Sequence, residues 1–213
     1  ENNNKEWWEE NKVRYVETIR EPARDFIADF GDRLASISPH FAADTRTNGG
    51  SLMRPYRDMR FSRDKTPYKT NVGIQFRHKM GKDVHAPGFY LHIEPGQNFA
   101  GAGMWSPEAR VARKIRLAIH DDPSGWEKAA HSKQFTDDWS LSSHDHDRLK
   151  RIPKELDSDH PFPDDLRLRS FSAGNRMTQK LVTSPDFADE LIALFATAGP
   201  YTRFLCEAIG VEF

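Results

Sequence analysis

The chain has 213 residues, of which 37% are hydrophobic, and its five Trp, five Tyr and fourteen Phe exclude an intrinsically disordered composition. Lys and Arg (31 together) nearly balance Asp and Glu (32), so the net charge of −1 excludes a global attraction to nucleic acid or to anionic membranes. Any affinity for an anion must therefore come from a local cluster of cations. We expect one domain over residues 1–213, because this length suits one sizeable core.

Residues 5–37 form the first predicted region, and it is helical. Apolar side chains recur there at three- and four-residue steps, which is the period of an amphipathic helix. Pro22 interrupts this pattern because it lacks an amide hydrogen and its ring clashes with the preceding turn. We therefore expect a kink, or two helices that meet near Arg20 and Glu21.

Residues 52–105 change to alternation of apolar and polar side chains, which predicts β-strands. The short connections between the alternating runs favour an antiparallel meander, since parallel strands need long crossovers. In the third run, Tyr90, His92 and Glu94 share one face of the predicted strand. The four predicted strands lie at 56–61, 71–77, 89–94 and 99–105.

Residues 106–213 are predicted to be mainly helical, with a long irregular connection over residues 136–165. A helical region, a block of strands and further helices in this order predict an α+β fold. In that fold a mainly antiparallel sheet packs against N-terminal and C-terminal helices. The elements expected here are a helix capped by Ser106, a short helix at 123–126, a strand at 166–172, a helix begun at residues 184–186 and a final helix from residue 199.

Residues 54–69 carry the strongest functional signal, since six cationic side chains, two carboxylates and two tyrosines occur within sixteen residues. Such a charge density is costly near a folded core unless the charges pair with one another or with a ligand. Arg binds carboxylate or phosphate through a two-pronged contact, and Lys adds a point charge. Either an anion site or a structural ion-pair network explains the segment, and Arg63 and Lys69 are expected to be solvated. The predicted ligand-binding residues are Arg54, Arg57, Asp58, Arg60, Lys65, Tyr68 and His92.

His92 and Glu94 form a second candidate, because residues two apart on a strand project from the same face. Both side chains can then contact one ligand, or they can simply pair with each other on a solvated strand. Two ligands are too few for a metal centre, so we assign no metal, and the sequence leaves the cofactor unknown. The candidates for a catalytic role are His92, Glu94 and Asp58.

The remaining motifs give weaker signals. The glycines at residues 96–103 lack the Lys-Ser/Thr of a phosphate loop and the third glycine of a dinucleotide fingerprint. Residues 144–147, His-Asp-His-Asp, resemble a metal clamp in composition, but we expect a solvated loop there. The basic run at residues 150–154 is expected to be a surface run or an extension of an anion groove. Cys206, which is the sole cysteine, is expected to be a buried hydrophobe.

The pattern R-x-x-R-D-x-R-F-x-x-[DN]-K-x-x-Y matches residues 54–68 position by position. It resembles the signature of a sparsely distributed, mostly bacterial family of uncharacterised proteins of slightly greater length. Residues 3–7, 89–96, 101–105 and 149–153 are similar to the same family, so the resemblance extends over nearly the whole chain. The usual extra N-terminal residues are absent, and we expect a trimmed start. Because this family is a domain of unknown function, the resemblance implies no activity.

The leading hypothesis is that the protein binds a phosphate-bearing or carboxylate-bearing small molecule at an Arg-rich site on a sheet face. The first alternative is a metal-assisted or acid/base enzyme, such as a phosphoester hydrolase, that uses Asp58, His92 and Glu94. The second alternative is a nucleic-acid-binding or protein-binding module, and the near-neutral charge disfavours nucleic acid. One cysteine and the lack of an apolar run of about 20 residues predict a cytoplasmic protein without a membrane partner. The sequence gives no oligomeric state.

Overall fold

The structure is a computed structural model, and it describes residues 2–60, 62–81, 85–142 and 148–213. Its fold is α+β, with N-terminal and C-terminal helices flanking one antiparallel sheet. The strands occur in the sheet order β1-β2-β3-β5-β4. Their bounds are Val72–Arg77 (β1), Gly88–Ile93 (β2), Phe99–Met104 (β3), Ser140–Leu141 (β4) and Phe171–Arg176 (β5).

Eight α-helices are present in the described ranges, and three further segments have other helical geometry. The helices are Lys5–Tyr15 (α1), Glu21–Ile37 (α2), Ala109–Asp121 (α3), Pro123–Trp126 (α4), Lys133–Asp138 (α5), Gln179–Val182 (α6), Phe187–Thr197 (α7) and Gly199–Ile209 (α8). Val16–Arg20 and Glu127–His131 are π-helical, and Asp165–Arg167 is a 3₁₀ turn.

The junction expected near Pro22 is confirmed. The π-helical turn Val16–Arg20 connects α1 to α2, and Pro22 occupies the first turn of α2. Pro22 has no N–H to donate to the helical turn before it, and the helical hydrogen bonds there run from i to i−5, as the bond from the Glu21 N–H to the Val16 oxygen shows. The N-terminus of α1 is capped by Asn4, whose side chain accepts a hydrogen bond from the Trp7 amide at 2.9 Å.

The hydrophobic core lies on one face of the sheet, where the helices α2, α7 and α8 cover it. Alternation along β1 and β2 places Ile74 opposite Leu91 and Phe76 opposite Phe89, and all four side chains are buried. The ring of Phe89 packs 4.8 Å from that of Phe195 on α7. Because the helices cover this face, the polar side chains at the alternate positions lie on the other face, which we call the open face.

The antiparallel meander is confirmed for β1, β2 and β3, but the predicted strand at 56–61 is wrong. The described residues of that stretch form isolated bridges only, such as Tyr56 with Tyr68, and Phe61 lies outside the described residues. The cause is local, because Asp58 accepts the backbone N–H of Arg60 at 3.1 Å. A side-chain bond of this kind stabilises a turn in competition with the ladder of a sheet.

Two boundaries in the C-terminal region also differ from the prediction. The last strand is β5 instead of 166–172, because Leu166 and Leu168 are both buried around the 3₁₀ turn and not in a strand. Ser106 does not cap α3, since its φ of 44° lies in the left-handed region and its N–H bonds to Ser170 Oγ at 3.0 Å. The helix begins at Ala109 without a side-chain cap.

The expectation for Cys206 is confirmed, since its thiol is buried and burial raises its pKa to about 12. Within the described ranges, none of the helices combines the length and the apolar character that a membrane crossing requires.

Candidate functional site

The arginines of the segment 54–69 bind carboxylates of the same segment. The Arg60 guanidinium makes a bidentate ion pair with Asp58, with Nε 2.9 Å from Oδ1 and Nη2 2.6 Å from Oδ2. Arg57 contacts the Asp64 carboxylate and the Thr66 hydroxyl. Two of the predicted anion-binding cations are therefore already paired within the segment.

The same contacts shift the pKa values of the two carboxylates. The hydrogen bond from Arg60 lowers the pKa of Asp58 to about 2. The backbone N–H of Thr66, followed by Arg57, lowers the pKa of Asp64 to about 2. Hydrogen bonds to a charged form favour that form, so both carboxylates are ionised throughout the neutral range. This pairing is the arrangement that a structural ion-pair network requires.

The other cations of the segment differ in their surroundings. Lys65 donates to the backbone oxygen of Met59 at 2.9 Å, and Arg54 is exposed. Lys69, which the sequence predicts to be solvated, is half-buried. Burial, and then the charge of Arg54, lower the pKa of its amine.

Tyr68 anchors the segment to the N-terminal helix. Its ring stacks on that of Trp8 with centroids 4.4 Å apart, and the side chain is buried. The Asn3 amide holds the Tyr68 backbone from both sides, accepting from its N–H at 3.0 Å and donating to its C=O at 2.8 Å. These contacts explain the position of Tyr68 by packing, without a ligand.

The predicted pair His92 and Glu94 belongs to a hydrogen-bonded chain on the open face. His92 Nε2 lies 3.2 Å from Glu94 Oε2, and His92 Nδ1 lies 3.1 Å from the hydroxyl of Tyr90. Thr70 donates to the other Glu94 oxygen, and this bond, followed by that of His92, lowers the pKa of Glu94. Burial raises the pKa of Tyr90 to about 12, so the phenol keeps its proton and acts as a hydrogen-bond donor.

A groove of about 1180 Å³ crosses the open face of the sheet. The register explains why no side chain fills it, because Tyr90 lies opposite Gly101 and Gly101 lies opposite Gly174. A side chain at Gly174 would meet no atom closer than the Ala100 oxygen, 3.9 Å away. The walls carry the aromatic rings Tyr90, Phe99 and Trp105 and the polar side chains Gln97, Ser106, Asp138, Ser140, Ser172 and Arg176.

Arg176 is a cation of this groove that the sequence analysis missed. Its side chain is exposed at the end of β5, opposite Phe99 of β3. Within the described residues, its guanidinium makes neither a hydrogen bond nor an ion pair. The alternation Ser172, Gly174, Arg176 is the signal that would have placed it on the open face, but the predicted strand ended at residue 172.

The predicted ligand-binding residues do not form part of the groove wall, as far as the structure describes the chain. His92 comes nearest, since its ring stacks at 4.5 Å on Phe99, which does line the groove. Residues 144–147, the second predicted His/Asp cluster, lie outside the described residues. In the part that is described, no group of three or more His, Cys, Asp and Glu side chains is placed to hold a metal.

Comparison with known proteins identifies the family. The family model of DUF2461, a conserved hypothetical protein, matches residues 1–204. The chain belongs to DUF2461. No match to the chain was found among curated proteins or among solved structures. Membership of DUF2461 implies neither a ligand nor a reaction, so a functional proposal for this DUF2461 protein depends on the geometry of the groove and of the Arg-rich segment.

Proposed function

We propose that this DUF2461 protein binds an elongated organic ligand, bearing one carboxylate or phosphate group, in the groove over the open face of the sheet. The observation that carries the proposal is the size and position of the groove, about 1180 Å³ above a glycine floor. Sites for drug-sized ligands measure about 300–1,000 Å³. The groove therefore suits a ligand somewhat longer than a single metabolite.

The charge of the groove supports one anionic group on that ligand. Among the described residues the Arg176 guanidinium has no hydrogen-bond or ion-pair partner, whereas Arg57 and Arg60 are engaged with carboxylates. Asp138 lines the same groove, and it is the other charged side chain that the described wall contains. Opposite charges in one groove disfavour a polyphosphate, because Asp138 would repel the additional negative charges.

The Arg-rich segment then has a supporting role in the proposal. The stretch that we interpret as the signature of the family stabilises its own turns through its ion pairs, and Tyr68 packs it against α1. Met53, just before it, lines the groove and donates its backbone N–H to the Gly73 oxygen at 2.9 Å. We also propose a cytoplasmic location, which the single cysteine supports.

A screen of carboxylates and phosphate monoesters by ligand-detected NMR tests the proposal, with Gly174→Val as the blocking variant. The valine side chain would occupy the groove without a clash at its Cβ, so ligand binding should be lost while the far-ultraviolet circular dichroism spectrum is kept.

Arg176→Gln should weaken binding about tenfold, since hydrogen bonds to charged groups are strong. Arg110→Gln, an exposed cation on α3, is the matched control and should bind normally. Ligands that bind Gly174→Val as tightly as the wild type would refute the proposal.

A second candidate, an acid/base enzyme, is favoured by the chain Tyr90–His92–Glu94. Glu94 orients His92 so that its other nitrogen accepts from Tyr90, and Tyr90 reaches the groove wall. Asp58 is bonded to Arg60 and does not line the described groove, so this candidate uses His92 and Glu94 alone. The candidate predicts that p-nitrophenyl phosphate is hydrolysed by the wild type and not by Glu94→Gln. No hydrolysis, with or without added Mg²⁺, Mn²⁺ or Zn²⁺, would contradict it.

A further inference from the structure

We infer that the ligand of the groove is an oligosaccharide with at least one uronate residue, stacked on Trp105 at one end and bound through its carboxylate to Arg176 at the other. This inference rests on the proposed function, because it assigns a chemical class to the ligand of the same groove. Trp105, Arg176 and the polar side chains between them carry it.

Trp105 is unusually exposed for so large an aromatic side chain. Its exposed fraction is 60%, and it lines the groove where β3 ends. A second ring supports it, since His85 lies parallel to it with centroids 5.7 Å apart, and His85 Nδ1 lies 2.9 Å from the Trp105 backbone oxygen. An exposed and supported indole face suits the C–H face of a sugar ring, which is apolar.

The backbone after Trp105 fixes the direction of the indole. Ser106 has a φ of 44°, a conformation that residues other than glycine rarely adopt. The fully buried Ser170 holds it there by accepting its N–H at 3.0 Å. The indole is therefore presented by a defined turn.

The spacing of the two ends requires an oligomeric ligand. Arg176 pairs in register with Phe99, and Trp105 follows Phe99 by six residues, one position beyond the end of β3. A strand rises by about 3.3 Å per residue, so the Cα atoms of Arg176 and Trp105 lie about 20 Å apart. A single sugar or a nucleoside does not span this distance.

The side chains between the ends match the hydroxyl groups of a saccharide. Ser106, Ser140, Ser172, Gln97 and Asp138 supply hydroxyl, amide and carboxylate groups along the wall. Such groups can donate to or accept from sugar hydroxyls. The glycine floor leaves room for rings that lie flat on the sheet.

Two other elongated ligands fit less well. An extended peptide binds by adding a strand to a free sheet edge, whereas the backbone of β3 is already paired on both sides. A nucleic acid needs several cations for its phosphates, and the described groove wall offers Arg176 opposed by Asp138. Of these three classes, a saccharide with few charges fits the groove best.

Isothermal titration with an aldotetrauronic acid and with the tetrasaccharides of unsulfated chondroitin and of hyaluronan, which carry one or two uronates each, tests the inference. At least one should bind, and the corresponding monosaccharide should bind at least tenfold more weakly. Trp105→Ala should weaken the tetrasaccharide about tenfold, which is the scale of one lost aromatic contact. Trp7→Ala is the matched control, because Trp7 is also exposed but lies on α1. Arg176→Gln should weaken the uronates and leave a neutral tetrasaccharide such as cellotetraose unchanged.

The outcomes separate this inference from the proposed function. If the three uronate tetrasaccharides fail to bind, while a carboxylate from the screen binds and is blocked by Gly174→Val, the saccharide assignment is wrong and the groove remains a ligand site. If a tetrasaccharide binds equally well to Trp105→Ala, the inference is also overturned. If Gly174→Val blocks no ligand, the proposed function itself fails.

Discussion

Asp165 offers a sharp test of the packing that holds the C-terminal half together. Its carboxylate is buried, and one oxygen accepts both the indole N–H of Trp126 at 2.7 Å and His131 Nε2 at 2.6 Å. Trp126 is fully buried, so in Asp165→Ala its N–H could not turn to water instead. An unsatisfied buried donor costs about 1–3 kcal/mol, and a hydrogen bond to a charged group contributes about 1.5–3 kcal/mol. We expect the free energy of unfolding to fall by about 3 kcal/mol.

The neighbouring Asp164 is a matched control in the same turn. It lies 3.4 Å from Arg148 and 3.1 Å from Arg167, and 65% of its side chain is exposed. Exposed ion pairs contribute about 0.2–1 kcal/mol, so Asp164→Ala should lose less than about 1 kcal/mol. Urea denaturation followed by circular dichroism measures both losses. For a chain of this length the Asp165 variant should also melt about 6–12 °C lower. Equal losses in the two variants would refute the reasoning.

Three further predictions concern other parts of the molecule. Gly103→Ala should destabilise the fold by about 1–3 kcal/mol in urea denaturation, because φ is +106° and a Cβ would lie 2.1 Å from a carbonyl oxygen of the neighbouring strand. In Gly174→Ala the Cβ has open space, so the free energy of unfolding should rise by about 0.5–1 kcal/mol. If Gly174→Ala were the less stable of the two variants, the geometry would be contradicted. Arg60→Gln should raise the pKa of Asp58 from about 2 towards 3.8, which a carbon-13 NMR titration measures. In the wild type, the stabilisation of the fold by this ion pair is present above pH 3.8 and is lost as the pH falls to about 2. Cys206 should react with Ellman's reagent only after unfolding, since it is buried and its thiol pKa is about 12; rapid labelling of the native protein would contradict this.

The sheet could be predicted where alternation was regular and connections were short. Alternation places Ile74 and Phe76 on one face of their strand and Phe89 and Leu91 on one face of theirs, and the structure adds the register that pairs Ile74 with Leu91 and Phe76 with Phe89. The strand β5 was misplaced because Leu166 and Leu168 imitate alternation, although both are buried around a 3₁₀ turn. A two-residue period alone does not distinguish these cases, since tertiary packing decides which leucines are buried.

The candidate site could be predicted less completely than the fold. The sequence shows the density of cations at residues 54–69. The partner of each guanidinium depends on turn geometry, as the bidentate pair of Arg60 with Asp58 shows. Arg176 and Trp105 are distant in sequence, and they line the same groove because β3 and β5 pair in this register. Such a convergence is a property of topology, and no local motif encodes it.

A nitrogen-15 NMR titration of the wild-type protein with the tightest ligand from the screen tests the central claim most directly. The account predicts that the largest amide shifts fall at Gly101, Gly174 and Arg176 on the open face. Shifts confined to the amides of Arg57 and Arg60, with the groove amides unchanged, would contradict this account. They would show that the ligand binds the Arg-rich segment instead.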